Sequence, residues 1–293
     1  MRLGVLTRNP RSWESNQIIL AAQRRGVEPV AFNFSDILAR VAYKPETTIK
    51  KRIAIVNDLD GMIVRPIGRG SLDEIIFRLD ALHRLEGLGL PIINSPSSIE
   101  KAVDKYRALT LLEENGVPVP RTIVTENPGA AIDAFYELGG DVVIKPLFGS
   151  RGIGITRVSD QETFGRVCRA LAFVHHVLYV QEFVPHGTRD IRAFVVGEKV
   201  VAAMRRVSQN WKTNVSRGAK PTSLKPDAEV EELAVKASKT LRCEVAGIDI
   251  MEGPDGYLVN EVNSQPGFRG LQLVTDINIA EKVVDHILCK MHR

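Results

Sequence analysis

The chain is poor in the features that would commit it to several large protein classes. Its 293 residues hold three cysteines, Cys168, Cys243 and Cys289, an odd number with no Cys-x-x-Cys spacing, which argues against a disulfide framework or a cysteine zinc site. No apolar run approaches the ~20 residues of a membrane span, and the opening MRLGVLTRNP turns charged too early for a secretory leader. A cytoplasmic protein with no membrane partner is expected. Aromatic residues make up 6% and no basic run interleaves with them, so a net charge of +4 points to small anions such as nucleotides and carboxylates rather than to nucleic acid. Three sequence signatures are missing as well. No Gly-x-Gly-x-x-Gly follows the first strand, no Gly-Lys-Ser/Thr closes a P-loop, and the six histidines form no His-Glu-x-x-His. These absences argue against a dinucleotide-binding Rossmann unit, a P-loop nucleotide site and a zinc protease. No Ser-His-Asp or Cys-His arrangement suggests a covalent enzyme intermediate.

What is present is 44% hydrophobic and 25% charged residues, enough to build two or three modest units, and a regular alternation of strands and helices. LGVLT (3–7) has the composition of a buried strand, and SNQIILAAQRRG (15–26) that of an amphipathic helix with Ser15 as cap and Gly26 as stop. EPVAFN and GMIVRP continue the pattern, SLDEIIFRLDALHRLEGLG (71–89) has helical spacing, and LPIINSP (90–96) is a short strand before a proline turn. This makes an N-terminal open α/β unit over residues 1–96. A second unit, 97–185, starts with a helix over 99–116 and carries the strands DVVIKPL (141–147) and ITRV on either side of the loop FGSRGIG (148–154). The third, 186–293, contains the alternating hairpin DIRAFVVGEKVVAAMRR (190–206), a helix over 229–242, and the strands VAGIDIM and YLVNEVN around the turn Gly253-Pro254-Asp255-Gly256.

Two constellations carry chemistry. Gly149, Gly152 and Gly154 lie between two strands, with Lys145 just before them; such a loop can lay backbone N–H groups over phosphates while the lysine offsets their charge, or it can be a plain turn. In GIDIM, Asp249 alternates with Ile248 and Ile250, and in NEVNS the two-residue period of a strand puts Glu261 and Asn263 on one face. If the strands pair, three hard oxygen donors converge, as a magnesium ion sharing nucleotide phosphates requires; the alternative is a solvated polar face. The two carboxylates are also expected to repel each other when no cation is bound, so that Glu261→Gln would raise stability slightly.

DKYR (104–107), VIKP (143–146), FGSRGIG, VQEFV (180–184), RDIRAFVVG (189–197), WKTNVSRGA (211–219), AGIDIM (246–251) and NEVNSQPGFRG (260–270) together resemble the ATP-grasp carboxylate–amine ligases. Within them the chain is most similar to the RimK-type glutamate ligases. The resemblance implies an α/β fold with α+β elements: an ATP-grasp body, split at 97–185 and 186–293, behind an N-terminal open α/β pre-ATP-grasp domain. It implies ATP and Mg²⁺ (or Mn²⁺) as cofactors, L-glutamate and an acceptor carboxylate as substrates, an acyl-phosphate intermediate, and a homo-oligomer. Lys105 and Lys145 would contact phosphates under a lid that includes Gly149, Ser150 and Gly152. Gln181, Glu182, Phe183 and Val184 would hold adenine, Asp190 would face the ribose, and Lys212, Thr213 and Asn214 would complete the pocket. Asp249, Glu261 and Asn263 would bind the metal. Arg192, Arg205 and Arg217 are the candidate catalytic cations, and Ala219 departs from the second glycine usual after Arg-Gly. Arg65, Arg78 and Ser264 are candidates for the acceptor. The stretches IRAFVVGEKVVAAMRR, WKTNVS and INIAEKVVDHIL look closest to tetrahydromethanopterin ligases; a ribosomal protein terminus, a deazaflavin cofactor tail or a carrier protein of lysine or arginine biosynthesis type are the alternatives. A catalytically silent nucleotide-binding or RNA-binding module is disfavoured because Lys145, Asp249, Glu261 and Asn263 occur together.

Overall fold

The short apolar runs of the first unit become parallel strands because helices cover their faces. The computed structural model of the chain describes residues 1–149, 153–215 and 218–291. Its first elements are β1 (Arg2–Leu6), α1 (Trp13–Arg24), β2 (Glu28–Phe32), β3 (Ile37–Ala39), β4 (Thr47–Ile49), β5 (Ile53–Ala54), α2 (Ile55–Asp58), β6 (Gly61–Val64), α3 (Leu72–Gly87) and β7 (Ile92–Ile93). Strands β2-β1-β6-β7 form a parallel sheet, and β3-β4-β5 a small antiparallel one. The chain runs from β1 outward to β2 and returns past β1 to β6, so the direction of winding reverses between β1 and β6.

Next come α4 (Pro96–Val103), α5 (Lys105–Glu114), β8 (Thr122–Thr125), α6 (Pro128–Glu137), β9 (Val142–Lys145), β10 (Thr156–Val158), α7 (Gln161–Phe173) and β11 (Leu178–Glu182). Their antiparallel sheet has the order β10-β9-β11-β8 and rests on α6 and α7 through Phe135, Phe164 and Cys168. The last elements are β12 (Arg189–Val196), β13 (Lys199–Val207), β14 (Lys220–Leu224), α8 (Ala228–Thr240), β15 (Val245–Gly253), β16 (Gly256–Asn263), α9 (Arg269–Gln272) and α10 (Ile279–Met291). Here the sheet order is β14-β13-β12-β15-β16. Alternation along β12 divides its contacts. Ile191, Ala193 and Val195 pack in one cluster with α5 and α8, whereas Phe194 and Val196 join Leu3, Val5, Ile63 and the apolar face of α10. The second cluster ties the first sheet to the third. Among the described residues no helix is long and apolar enough to cross a membrane.

Three local features decide helix boundaries. The single helix expected over 99–116 is two: Asp104 leaves the helical region (ψ 106°) and its carboxylate accepts from the Arg107 amide at 3.1 Å, so it starts α5 instead of continuing α4. That break places Lys105 at the first position of a helix. Ser15 is not the cap of α1; it lies inside the helix, buried, sharing hydrogen bonds with the hydroxyls of Thr7 (2.7 Å) and Ser12 (2.9 Å). Ser71 does cap α3, in a reciprocal box: its Oγ accepts from the Glu74 amide at 3.2 Å and Glu74 accepts from the Ser71 amide at 3.0 Å. Ser71→Ala is expected to lower unfolding free energy by about 1 kcal/mol in a urea titration, with ligand binding unchanged.

Candidate active site

A cleft of about 870 Å³ opens between the second and third sheets. On the side of the second sheet, β9 ends in Lys145, which is buried although charged. Its Nζ donates to Gln181 Oε1 at 2.5 Å and to Asn260 Oδ1 at 2.8 Å. Gln181 can offer that oxygen because its Nε2 is turned to the hydroxyls of Thr122 (2.8 Å) and Tyr179 (3.3 Å). Burial pushes the Lys145 pKa down to about 8, and Glu261 opposes the shift. Lys105 donates from α5 to the carbonyls of Leu147 (3.3 Å) and Gly149 (2.9 Å), tying the helix to the start of the glycine loop. Burial lowers its pKa too, opposed by Glu261 and Asp104.

At the edge of the cleft, Glu182 is fixed by Arg121 at 2.6 Å, and the Phe183 amide donates to the Asp141 carbonyl at 2.9 Å. The Arg157 guanidinium lies 3.4 Å from the Phe183 ring centroid, and Trp211 meets the same ring edge-on at 5.9 Å. Val184 follows in the lining. This is an apolar slot with aromatic walls, suited to a planar base. Lys212, Thr213 and Asn214 also line the cleft, with Lys212 Nζ donating to the Ile155 carbonyl at 2.8 Å.

The third sheet supplies the charges. Across β12, β13, β15 and β16, the pairs Asp190–Arg206, Arg192–Asp249 and Asp249–Glu261 stand opposite one another. Arg206 Nε donates to Asp190 at 2.7 Å, and its Nη2 lies 3.0 Å from Asp249 Oδ1. Burial alone would lower the pKa of Arg206, but Asp249 and Asp190 raise it above its ordinary value, so it stays charged. Thr213 donates to Asp190 at 2.5 Å. Arg192 Nε approaches Asp249 Oδ1 to 2.5 Å from beside the cleft, over Gly247, where an added Cβ would collide with its Nη1. Asp249 Oδ1 is buried and receives no directed hydrogen bond.

That oxygen bears on a metal. Among the described residues no group of three His, Cys, Asp or Glu side chains is placed to hold an ion. Two carboxylates face each other, however, and Asn263 sits opposite Gly247 at the same strand end, its Nδ2 donating to the Gly247 carbonyl at 3.3 Å. All three donors are hard oxygens, a donor set that fits Mg²⁺ completed by phosphate oxygens, although Asp249 Oδ1 also lies against the Arg192 and Arg206 guanidiniums.

The chain can now be set beside known proteins. The profile of a RimK-like ATP-grasp domain matches residues 102–287, which include every strand of the cleft. A tetrahydromethanopterin:alpha-L-glutamate ligase of Methanococcus maripaludis is 36% identical over 293 residues, covering 98% of each chain. The chain belongs to the RimK-like ATP-grasp family. A probable alpha-L-glutamate ligase of Legionella pneumophila is 32% identical, covering 98% of this chain and 95% of the relative. Among solved structures, the ATP-grasp ligase PsnB complexed with a minimal precursor superposes with a TM-score of 0.78 at 21% identity, over 99% of this chain and 98% of that one. A RimK domain ATP-grasp protein of Sphaerobacter thermophilus gives 0.76 at 21%, over 98% and 100%. The fold is therefore ATP-grasp, and one of the PsnB structures, TM-score 0.76, is described with Mg and ADP.

In this RimK-like chain the structure brings most of the expected residues together and separates a few. Lys105, Lys145, Gly149, Gln181 to Val184, Asp190, Lys212 to Asn214, Asp249 and Glu261 all line the cleft. Ser150, Gly152 and Arg217 lie outside the described residues. Arg192 and Asn263 reach Asp249 and Gly247 without lining the cleft. Arg205 departs from expectation: it points away from Asp190, pairs with Glu252 at 2.9 Å, and leaves Arg206 as the buried cation. Arg205→Ala is accordingly expected to leave kcat/KM within about twofold of the parent protein, as for a partly exposed ion pair. Arg78 holds the carbonyls of Ile67 and Arg69 and is not near the cleft lining. Arg65 and Ser264 border a second cavity. Sequence reasoning missed Asn260, Arg206 and Trp211. Trp211 had a signal, being adjacent to Lys212 in a recognised motif; the other two depended on strand register.

Proposed function

We propose that this chain is an ATP-dependent, ADP-forming ligase that joins L-glutamate by an amide bond to an acceptor carboxylate, and that the acceptor is the tetrahydromethanopterin side chain. The acceptor carboxylate attacks the γ-phosphoryl of ATP, giving an acyl phosphate and ADP; the glutamate amine then displaces inorganic phosphate, losing a proton, to form the amide. The observation that carries this reading is the buried Lys145 facing the Asp249–Glu261 pair across one cleft. The near-full-length likeness to three proteins named tetrahydromethanopterin:alpha-L-glutamate ligase, at 33 to 36% identity, supports the acceptor.

Phosphoryl transfer needs positioning and electrostatics more than covalent help from the protein. Lys145 and Lys105 offset phosphate charge from one wall. The aromatic slot at Phe183 holds the base and Asp190 faces the ribose, while Arg206 and Arg192 hold the Asp249 carboxylate in place. Asp249, Glu261 and Asn263 would hold Mg²⁺ (or Mn²⁺), which would supply positive charge to the phosphates. The test is phosphate release with ATP, L-glutamate and tetrahydromethanopterin, with mass spectrometry of the product. A product heavier by one glutamyl residue is expected. Turnover only with a ribosomal protein terminus, a deazaflavin tail or a carrier protein would replace the acceptor, and no turnover with any of them would overturn the reading.

A further inference from the structure

Lys145 is held from two sheets at once. Gln181, on the neighbouring strand β11, accepts from its Nζ at 2.5 Å, and Asn260, on the edge strand β16 of the third sheet, accepts at 2.8 Å. An ammonium carries three N–H donors at tetrahedral angles on a flexible stem, so fixing two of them aims the third. Among the described residues no further partner takes that donor, and Lys145 lines the cleft. The acceptors are also of one kind. Arg192 and Arg206 are held by carboxylates, which offset their charge, whereas the two amide oxygens fix the ammonium and leave its charge to the cleft.

Asn260 reaches Lys145 through a departure from regular pairing. Between β15 and β16, Asp249 stands opposite Glu261 and Ile250 opposite Val259, so Asn260 is the residue without a partner. A bulge of this kind leaves one residue out of the ladder and re-aims its side chain. Here it divides two tasks between neighbours. Glu261 stays opposite Asp249, while the Asn260 side chain, which also lines the cleft, crosses to the second sheet.

We propose that Asn260 is a positioning residue for nucleotide binding: it acts through Lys145, holding the ammonium between the two sheets so that its remaining N–H meets a phosphate. The inference rests on the ATP-dependent reading of the cleft and adds a residue to it. The test is calorimetric titration with a non-hydrolysable ATP analogue and Mg²⁺, in a double-mutant cycle. Asn260→Leu, close in size but without an acceptor, is expected to raise the Kd about tenfold in the parent protein. In a Lys145→Met background the same substitution should change the Kd by less than about twofold, because the group it positions is gone. A structural role for Asn260 predicts the same rise in both backgrounds, and that result, or no rise in the parent, overturns the proposal. Asn260→Ala gives the same reading should leucine lower the Tm. If Lys145→Met binds too weakly to titrate, crystals of nucleotide-free Asn260→Leu decide. Nζ should no longer hold one position 2.5 Å from Gln181 Oε1; Nζ unmoved overturns the proposal. A parent protein that binds no ATP analogue overturns the ligase reading and this proposal with it, whereas failure in the cycle or the crystals alone overturns only the role of Asn260.

Discussion

Glu261→Gln is expected to lower ligase turnover by roughly 100-fold or more while the chain stays folded. The substitution keeps size and one oxygen but removes the charge that stands opposite Asp249 and that raises the pKa of both Lys145 and Lys105. The loss should deepen at low magnesium, because one of the hard ligands is weakened. The stability gain expected from sequence does not follow. Asp249 is met by Arg192 at 2.5 Å and by Arg206 at 3.0 Å, so its charge is already offset, and Glu261 acts on two lysines instead. Tm should therefore be unchanged or slightly lower, and the Lys145 pKa should fall further below 8. Turnover measured against magnesium concentration, with Tm alongside, checks both parts; parent-like turnover at ordinary magnesium would take Glu261 out of the site.

Lys145→Met is expected to remove phosphoryl transfer almost completely, again by roughly 100-fold or more, with unfolding free energy within about 1 kcal/mol of the parent. The two effects separate because the lysine works against its own burial. Its pKa lies near 8 in the folded chain, against 10.5 ordinarily, so keeping it charged costs about 3 kcal/mol. Loss of its bonds to Gln181 and Asn260 offsets that relief. The sign of the pH effect follows from proton counting. Between about 8 and 10.5 the unfolded chain binds more protons at this residue than the folded one, so stability rises with pH across that window and is lost again as pH falls toward 8. Lys145→Met should abolish this increment. In the parent, kcat/KM for ATP should fall as pH rises through about 8, when the free protein loses the charge that meets the phosphates. A flat profile, or a Tm loss as large as the activity loss, would assign Lys145 a structural role.

Much of the cleft was legible because burial alternates along strands. Ile248 and Ile250 on one face leave Asp249 on the other, and Ile191 and Ala193 likewise leave Asp190 and Arg192; in both strands the structure keeps that division. Helix breaks were less legible. Nothing in the apolar spacing of 99–116 marks Asp104, whose carboxylate competes with the helix for a backbone amide and so aims Lys105 at the glycine loop.

The residue types, their order and the faces they occupy were set by the sequence alone, through hydrophobic period and through motifs specific enough to name a family. Register was set only in three dimensions, and register decides which charges meet. From the tight turn at Gly253 and Gly256, regular pairing would put Asn260 opposite Asp249. An extra residue between Val259 and Glu261 shifts the pairing by one, so Glu261 faces Asp249 while Asn260 turns to Lys145. From the turn after Val196, regular pairing would set Arg205 opposite Asp190; the irregularity at Phe194 and Val195 shifts it to Arg206. Both bulges are local departures from a two-residue period, and no count of alternating residues contains them.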